Sequence, residues 1–272
     1  MLKYRSHIFF DRFKDIISDP VNEKINRDNF HYDREKCIVR MYNGVLINRR
    51  SYYGSFSDIL VLNKGVHEPL EEYIFDQIIK TIDEEEPLMI ELGSYWAFYS
   101  LSLLQKKNNA KCYMIEPYDE ELEYGKINFR LNNRIGEFIK GSVGEAGIKI
   151  DNLIKERGIE KINILHSDIQ GYELEMLNGA NNAFNNLLID YVFLSTHSQD
   201  LHYSCLEWLR EKRYNVIVSC DLEETTSYDG IIIAHSPNIT LNIDTEHKNK
   251  KNISLIPDKL LNSMFYKNKI EI

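Results

Sequence analysis

From residue 88 to about 235, short apolar runs alternate with segments of helical spacing, and this alternation constrains the fold more than any other feature. LMIEL (88–92), KCYMIEP (111–117), INILHSDI (162–169) and YVFLSTHS (191–198) have strand length and strand composition. Helical segments follow them: Phe98 to Lys106, Asp119 to Leu131, YELEMLNGA from Tyr172, and LHYSCLEWLREK from Leu201, with a shorter helix, DNLIKERG, ended by Gly158. Repeated strand–helix units fold into an open parallel sheet with helices on both faces. NVIVSCD and GIIIAHS bracket a turn-rich loop and predict a hairpin that brings an antiparallel strand to one edge. The expectation is an α/β fold with a twisted, seven-stranded, mostly parallel sheet.

The flanks read differently. Helical spacing occurs near 8–18, and residues 37–49 alternate like a strand with a turn at Asn43-Gly44. Tyr52, Tyr53 and Phe56 follow, aromatics suited to a lid over a bound molecule. After the turn at 65–69, Tyr73, Ile74, Ile78 and Ile79 recur at helical spacing, so 70–82 predicts an amphipathic helix. Beyond residue 238 a solvated lysine run, HKNKKN, precedes an apolar stretch, ISLIPDKLLNSMF, expected to pack back on the domain. The chain therefore divides into an N-terminal extension or lid (1–64), a ligand-binding domain (65–237) and a C-terminal tail (238–272).

Composition removes several function classes. At 43% hydrophobic and 28% charged residues the 272-residue chain sustains a core. A net charge of −9 opposes nucleic-acid binding, which wants a basic face. No apolar run approaches ~20 residues, so no transmembrane helix is expected, and the start lacks the apolar core of a signal peptide. Cys37, Cys112, Cys205 and Cys220 are scattered without a CxxC, which predicts reduced thiols in a cytoplasmic protein.

In an open α/β sheet, ligands bind beyond the carboxyl ends of the strands, and there the polar residues collect. Glu91-Leu-Gly93 ends the first run, and Glu116 ends the second, at the spacing where an acid accepts from ribose hydroxyls. A dinucleotide loop would place a second glycine where this chain has Tyr95, obstructing a diphosphate. A nucleoside ligand without a diphosphate, such as S-adenosylmethionine, has no such need. Tyr95 and Trp96 are otherwise helix-packing aromatics. His166, Asp168 and Glu173 surround the end of the third run and the following helix start, and His197 ends the fourth. Asp168 is alternatively a helix cap and Glu173 a surface acid.

Over about 65–235 these residues resemble the FkbM family of S-adenosylmethionine-dependent methyltransferases. The resemblance rests on His67-Glu-Pro69, Glu91-Leu-Gly93, Glu116-Pro117, Lys149-Ile-Asp-Asn152, Leu165-His-Ser-Asp-Ile-Gln-Gly-Tyr-Glu173 and Leu177-Asn-Gly-Ala180. Departures are His166 for the usual lysine, Gln170 for an acid, and Tyr95, Trp96 and Ala97 in the first loop. The resemblance implies a Rossmann-like fold and methylation of an oxygen on a sugar or glycan precursor; a non-sugar small molecule, lipid or protein acceptor is the alternative. A nicotinamide-dependent oxidoreductase and a non-catalytic cofactor-binding protein are competing readings. The cofactor set is then Glu68, Glu91, Gly93, Ser94, Tyr95, Glu116, Pro117, Ser142 and Asp168. The acceptor set is Gln170, Tyr172, Glu173 and His197. His197, with an ordinary pKa near ~6.5, is the expected base, with His166 its rival and Asp168 as orienter or base. No resident metal is expected; the alternative is a divalent cation on Asp168, Glu173 and His197. The expected partner is a small-molecule or sugar substrate, and a homodimer is allowed.

Overall fold

A computed structural model describes residues 7–268 and 270. The N-terminal part comprises α1 (His7–Ser18), a meander of β1 (His31–Asp33), β2 (Ile38–Arg40) and β3 (Leu46–Asn48), and the single turn α2 (Ile59–Leu62). Then come α3 (Pro69–Thr81), β4 (Leu88–Leu92), α4 (Phe98–Lys106), β5 (Lys111–Glu116), α5 (Asp119–Leu131), β6 (Glu137–Lys140) and α6 (Ile150–Arg157). The chain continues through β7 (Ile162–Ser167), α7 (Glu173–Gly179), α8 (Asn181–Asn185), β8 (Ile189–Thr196), α9 (Gln199–Glu211), β9 (Asn215–Cys220), β10 (Gly230–His235) and α10 (Asp258–Lys267).

The main sheet has seven strands in the order β6-β5-β4-β7-β8-β10-β9. All neighbours up to β8 pair in parallel, while β10 runs antiparallel to both β8 and β9 at that edge of the sheet. β7 and β8 are buried along their whole length because helices cover both faces. Alternation along a strand divides the core: Met89, Ile164 and Phe193 point to one layer, and Ile90, Leu165 and Val192 to the other. The first layer also takes Phe13, Ile47 and Leu60 from the N-terminal part and Leu261 and Phe265 from α10.

This topology positions the site. The chain steps outward from β4 to β5 and β6, then returns across β4 to lay down β7, so the crossovers diverge between β4 and β7. That switch point opens a crevice at the carboxyl ends of the strands. The register sets Leu92 beside Ser167 and Ser167 beside Leu194. Gly93, Asp168 and Ser195 therefore follow in a row. Across the antiparallel pair, Thr196 faces Gly230, so His197 and Asp229 each lie one residue past it.

Candidate active site

Two adjoining cavities open at this crevice, of about 410 Å³ and about 370 Å³, sharing Tyr53, Gly93, Tyr95, Asp168 and Gln170. The larger is bounded by Glu116, Pro117, Ser142 and the apolar Ile115, Val143 and Ile169. The smaller is bounded by aromatic residues together with Glu68, Asp168 and Asp229.

Gly93 lies hard against the end of the neighbouring strand. Its φ is +66°, and a Cβ there would stand 1.8 Å from the Asp168 carbonyl oxygen. Two non-glycine residues of the same loop, Tyr95 (φ 44°) and Ala97 (φ 58°), are also left-handed, a conformation that costs roughly 1–2 kcal/mol per residue. Tyr95 is held there at both ends. Its N–H donates to Glu116 Oε2 (3.2 Å), and its hydroxyl accepts from the Tyr53 N–H (2.8 Å). Tyr95 thus ties the N-terminal segment to both cavities, while Trp96 is buried against Tyr52 (4.3 Å between ring centres).

Glu116 accepts from the Tyr95 and Tyr118 N–H groups, and burial pushes its carboxyl up to about 7. Glu91 lines the smaller cavity, but both its oxygens accept from the Tyr99 and Ser100 N–H groups, at 3.3 and 3.0 Å. It caps α4, whose own N-cap residue, Ala97, has no side-chain acceptor. Burial raises its pKa. Glu68 accepts from the Tyr99 hydroxyl (2.8 Å) beside His67. Burial opposes its ionisation, but the charge of His67 outweighs this and holds the Glu68 carboxyl near about 2. Ser94 lines the smaller cavity with its hydroxyl unpartnered.

His166 is 4% exposed, with Nε2 2.7 Å from Glu71 Oε1 and its ring against Tyr99. Burial lowers its pKa and raises that of Glu71, a combination that suits a protonated carboxyl donating to a neutral imidazole.

His197 stands among three carboxylates. Nδ1 lies 2.9 Å from Glu173 Oε1, and Nε2 lies 3.1 Å from Asp168 and 3.5 Å from Asp229. Burial disfavours its charge, but the bonds to Asp168 and Glu173 and the charge of Asp229 prevail and raise it to about 10. An ordinary histidine base was the expectation; here the imidazole is already protonated at neutral pH. Asp229 is raised to about 7 by burial and by the charge of Asp168.

The acceptor set divides. Gln170, left-handed at φ 56°, donates to Asp168 Oδ1 (3.0 Å) between the cavities. Tyr172 lines the larger cavity, not the smaller. Glu173 lines neither: it is fully buried and holds His197 from behind. Asp168 does not cap α7, which starts five residues later at Glu173. In the alternative cation set, Glu173 gives way to Asp229: among the described residues, Asp168, His197 and Asp229 offer atoms within 4.8 Å of one another. Local sequence did not reveal Asp229, which sits in a turn-like SYDG; pairing GIIIAHS against YVFLSTHS would have placed it opposite His197.

Residues 140–216 match the family model of the methyltransferase FkbM domain. The solved METTL16 methyltransferase domain is 14% identical, covers 80% of this chain and 88% of its own, and superposes with a TM-score of 0.51. TrmK of M. capricolum, solved with S-adenosylhomocysteine, is 15% identical over 72% of this chain and 82% of its own, with a TM-score of 0.45. No curated protein matches the sequence. At that identity the METTL16 superposition speaks for the fold alone. The motifs, the sheet order and the match over 140–216 agree: the chain resembles the FkbM family of S-adenosylmethionine-dependent methyltransferases, and its match to the family model covers those residues.

Proposed function

We propose that this protein transfers the methyl group of S-adenosylmethionine to a hydroxyl of a sugar or glycan precursor. The observation that carries the reading is the junction of the cavities, where Gly93 and Asp168 border a nucleoside-sized space on one side and an aromatic, acid-lined space on the other. In the larger space Glu116 accepts from the ribose hydroxyls, and Ile115, Val143 and Ile169 cover the base. In the smaller, the exposed Tyr53 and Tyr228 offer ring surface for a sugar, while Asp168 and Asp229 accept from its hydroxyls.

The reaction is an in-line displacement: the acceptor oxygen bonds to the methyl carbon, the carbon–sulfur bond breaks, and the hydroxyl proton leaves. Alignment of the two reactants supplies about 7–11 kcal/mol. The protonated His197 cannot take the proton. Asp229, ionised above about 7, takes it, and His197 holds Asp168 and Asp229 in place.

Incubation with methyl-tritiated cofactor and a panel of sugars and glycan precursors tests the reading: label should enter the carbohydrate. Label entering only RNA, protein or lipid fractions would overturn it. Separately, Glu116→Ala should weaken cofactor binding by about 10- to 100-fold, the worth of hydrogen bonds to a charged group, as read by calorimetry. In the unmodified protein, affinity should fall as pH drops below about 7, where Glu116 protonates. An unchanged affinity in the variant would remove Glu116 from the ribose.

A further inference from the structure

Arg12, on α1, has no role in the chemistry above, yet it lines the smaller cavity. Its guanidinium is clamped between two rings, 4.1 Å from the centre of Phe56 and 4.2 Å from that of Tyr228. Its Nε is buried without a hydrogen-bond partner, and among the described residues no carboxylate comes within 4.0 Å of it. The clamp is itself braced. Phe13, one residue on, stacks on Phe56 (5.2 Å) and touches Phe265 of α10, and Lys14 pairs with Asp258 of α10 (2.7 Å). A flat, permanently charged fork thus stands at the cavity wall with no hydrogen bond to the described residues. Such a fork suits a carboxylate or phosphate in bidentate contact.

Charge decides between these two anions. Among the described residues Arg12 is the only lysine or arginine of the cavity lining, which also carries Glu68, Glu91, Asp168 and Asp229. One guanidinium balances one carboxylate. A phosphate monoester or diphosphate brings up to two charges or more into the same acidic space, where the charged His67 is already paired with Glu68 and Glu72.

We propose that Arg12 recognises a carboxylate on the methyl acceptor, so that the acceptor is a sugar acid rather than a neutral or phosphorylated sugar. This rests on the sugar reading above and narrows it. The carboxylate would anchor one end of the ring at Arg12 and leave a hydroxyl toward Asp229, which lies near enough for the Arg12 charge to act on it.

The test is binding, read without turnover. Titration of the protein saturated with S-adenosylhomocysteine, followed by saturation-transfer NMR, compares glucuronate, galacturonate and mannuronate with the neutral methyl glycosides and with glucose 1-phosphate. At least one sugar acid should bind about tenfold or more tighter than its neutral counterpart. Arg12→Gln should abolish that preference, and Arg12→Lys should restore it only in part. The affinity of Arg12→Gln for S-adenosylhomocysteine should stay within about twofold of the parent, showing that the fold is intact. Sugar acids binding no tighter than neutral sugars, a preference that survives Arg12→Gln, or tighter binding of glucose 1-phosphate would each overturn the assignment. Failure of methyl transfer to every sugar would strike the proposed function instead, whichever way the binding ratio falls.

Discussion

Asp229→Asn is expected to lower kcat by about 10²–10⁴, the usual contribution of a positioned base, while cofactor affinity changes less than about twofold. The substitution keeps the shape and removes only the proton-accepting charge, and Asp229 lines the acceptor cavity, not the nucleoside one. The measurement is single-turnover methyl transfer beside calorimetric cofactor binding; retention of more than a tenth of the rate would exclude Asp229 as the base. The unmodified enzyme supplies a second check. Its rate should rise with pH through about 7, as Asp229 loses its proton, and fall toward about 10, as His197 loses the charge that organises the carboxylates. His197→Ala should also slow turnover more than tenfold, but by leaving Asp168, Glu173 and Asp229 to repel one another.

Gly93→Ala should be the most damaging substitution for the fold. The new Cβ would meet the Asp168 carbonyl oxygen at 1.8 Å and its carbon at 2.8 Å, both backbone atoms of the neighbouring strand end. The two central strands would have to part where Asp168 N–H bonds to Leu92. Overpacking of this kind costs about 1–3 kcal/mol or more, and the left-handed backbone adds about 1–2 kcal/mol. Gly171→Ala is the control: its φ is +104°, but no atom lies within 4 Å of the added Cβ, so only backbone strain applies. Urea denaturation should separate the two clearly; equal midpoints would mean that the close approach at Gly93 carries no energetic weight.

The fold was legible because each central strand is an apolar run ending in a polar residue, and Glu91, Glu116, Asp168 and His197 mark those ends without any knowledge of pairing. What could not be read was whatever depends on two strand ends meeting. The protonation of His197 comes from carboxylates on two separate segments, 168–173 and the turn at Asp229, and the second of these was not visible beside it in the sequence, so the histidine was given an ordinary pKa. Glu173 looked like an acceptor contact because its helix start is near the crevice, but its side chain turns inward under His197. Arg12 had no local signal at all, since its value lies in Phe56 and Tyr228, far away in sequence. Tyr95 was readable as an obstruction to a diphosphate; its hydroxyl contact with Tyr53 was not.

The brace between α1 and α10 has a consequence for synthesis. Lys14 and Asp258 are 244 residues apart, and the wall carrying Arg12 is secured by that distant helix. The nucleoside space, by contrast, is lined by residues between Tyr53 and Glu175. A chain emerging from the ribosome therefore exposes every residue that lines the larger cavity before it has made the helix that braces the wall of the smaller one.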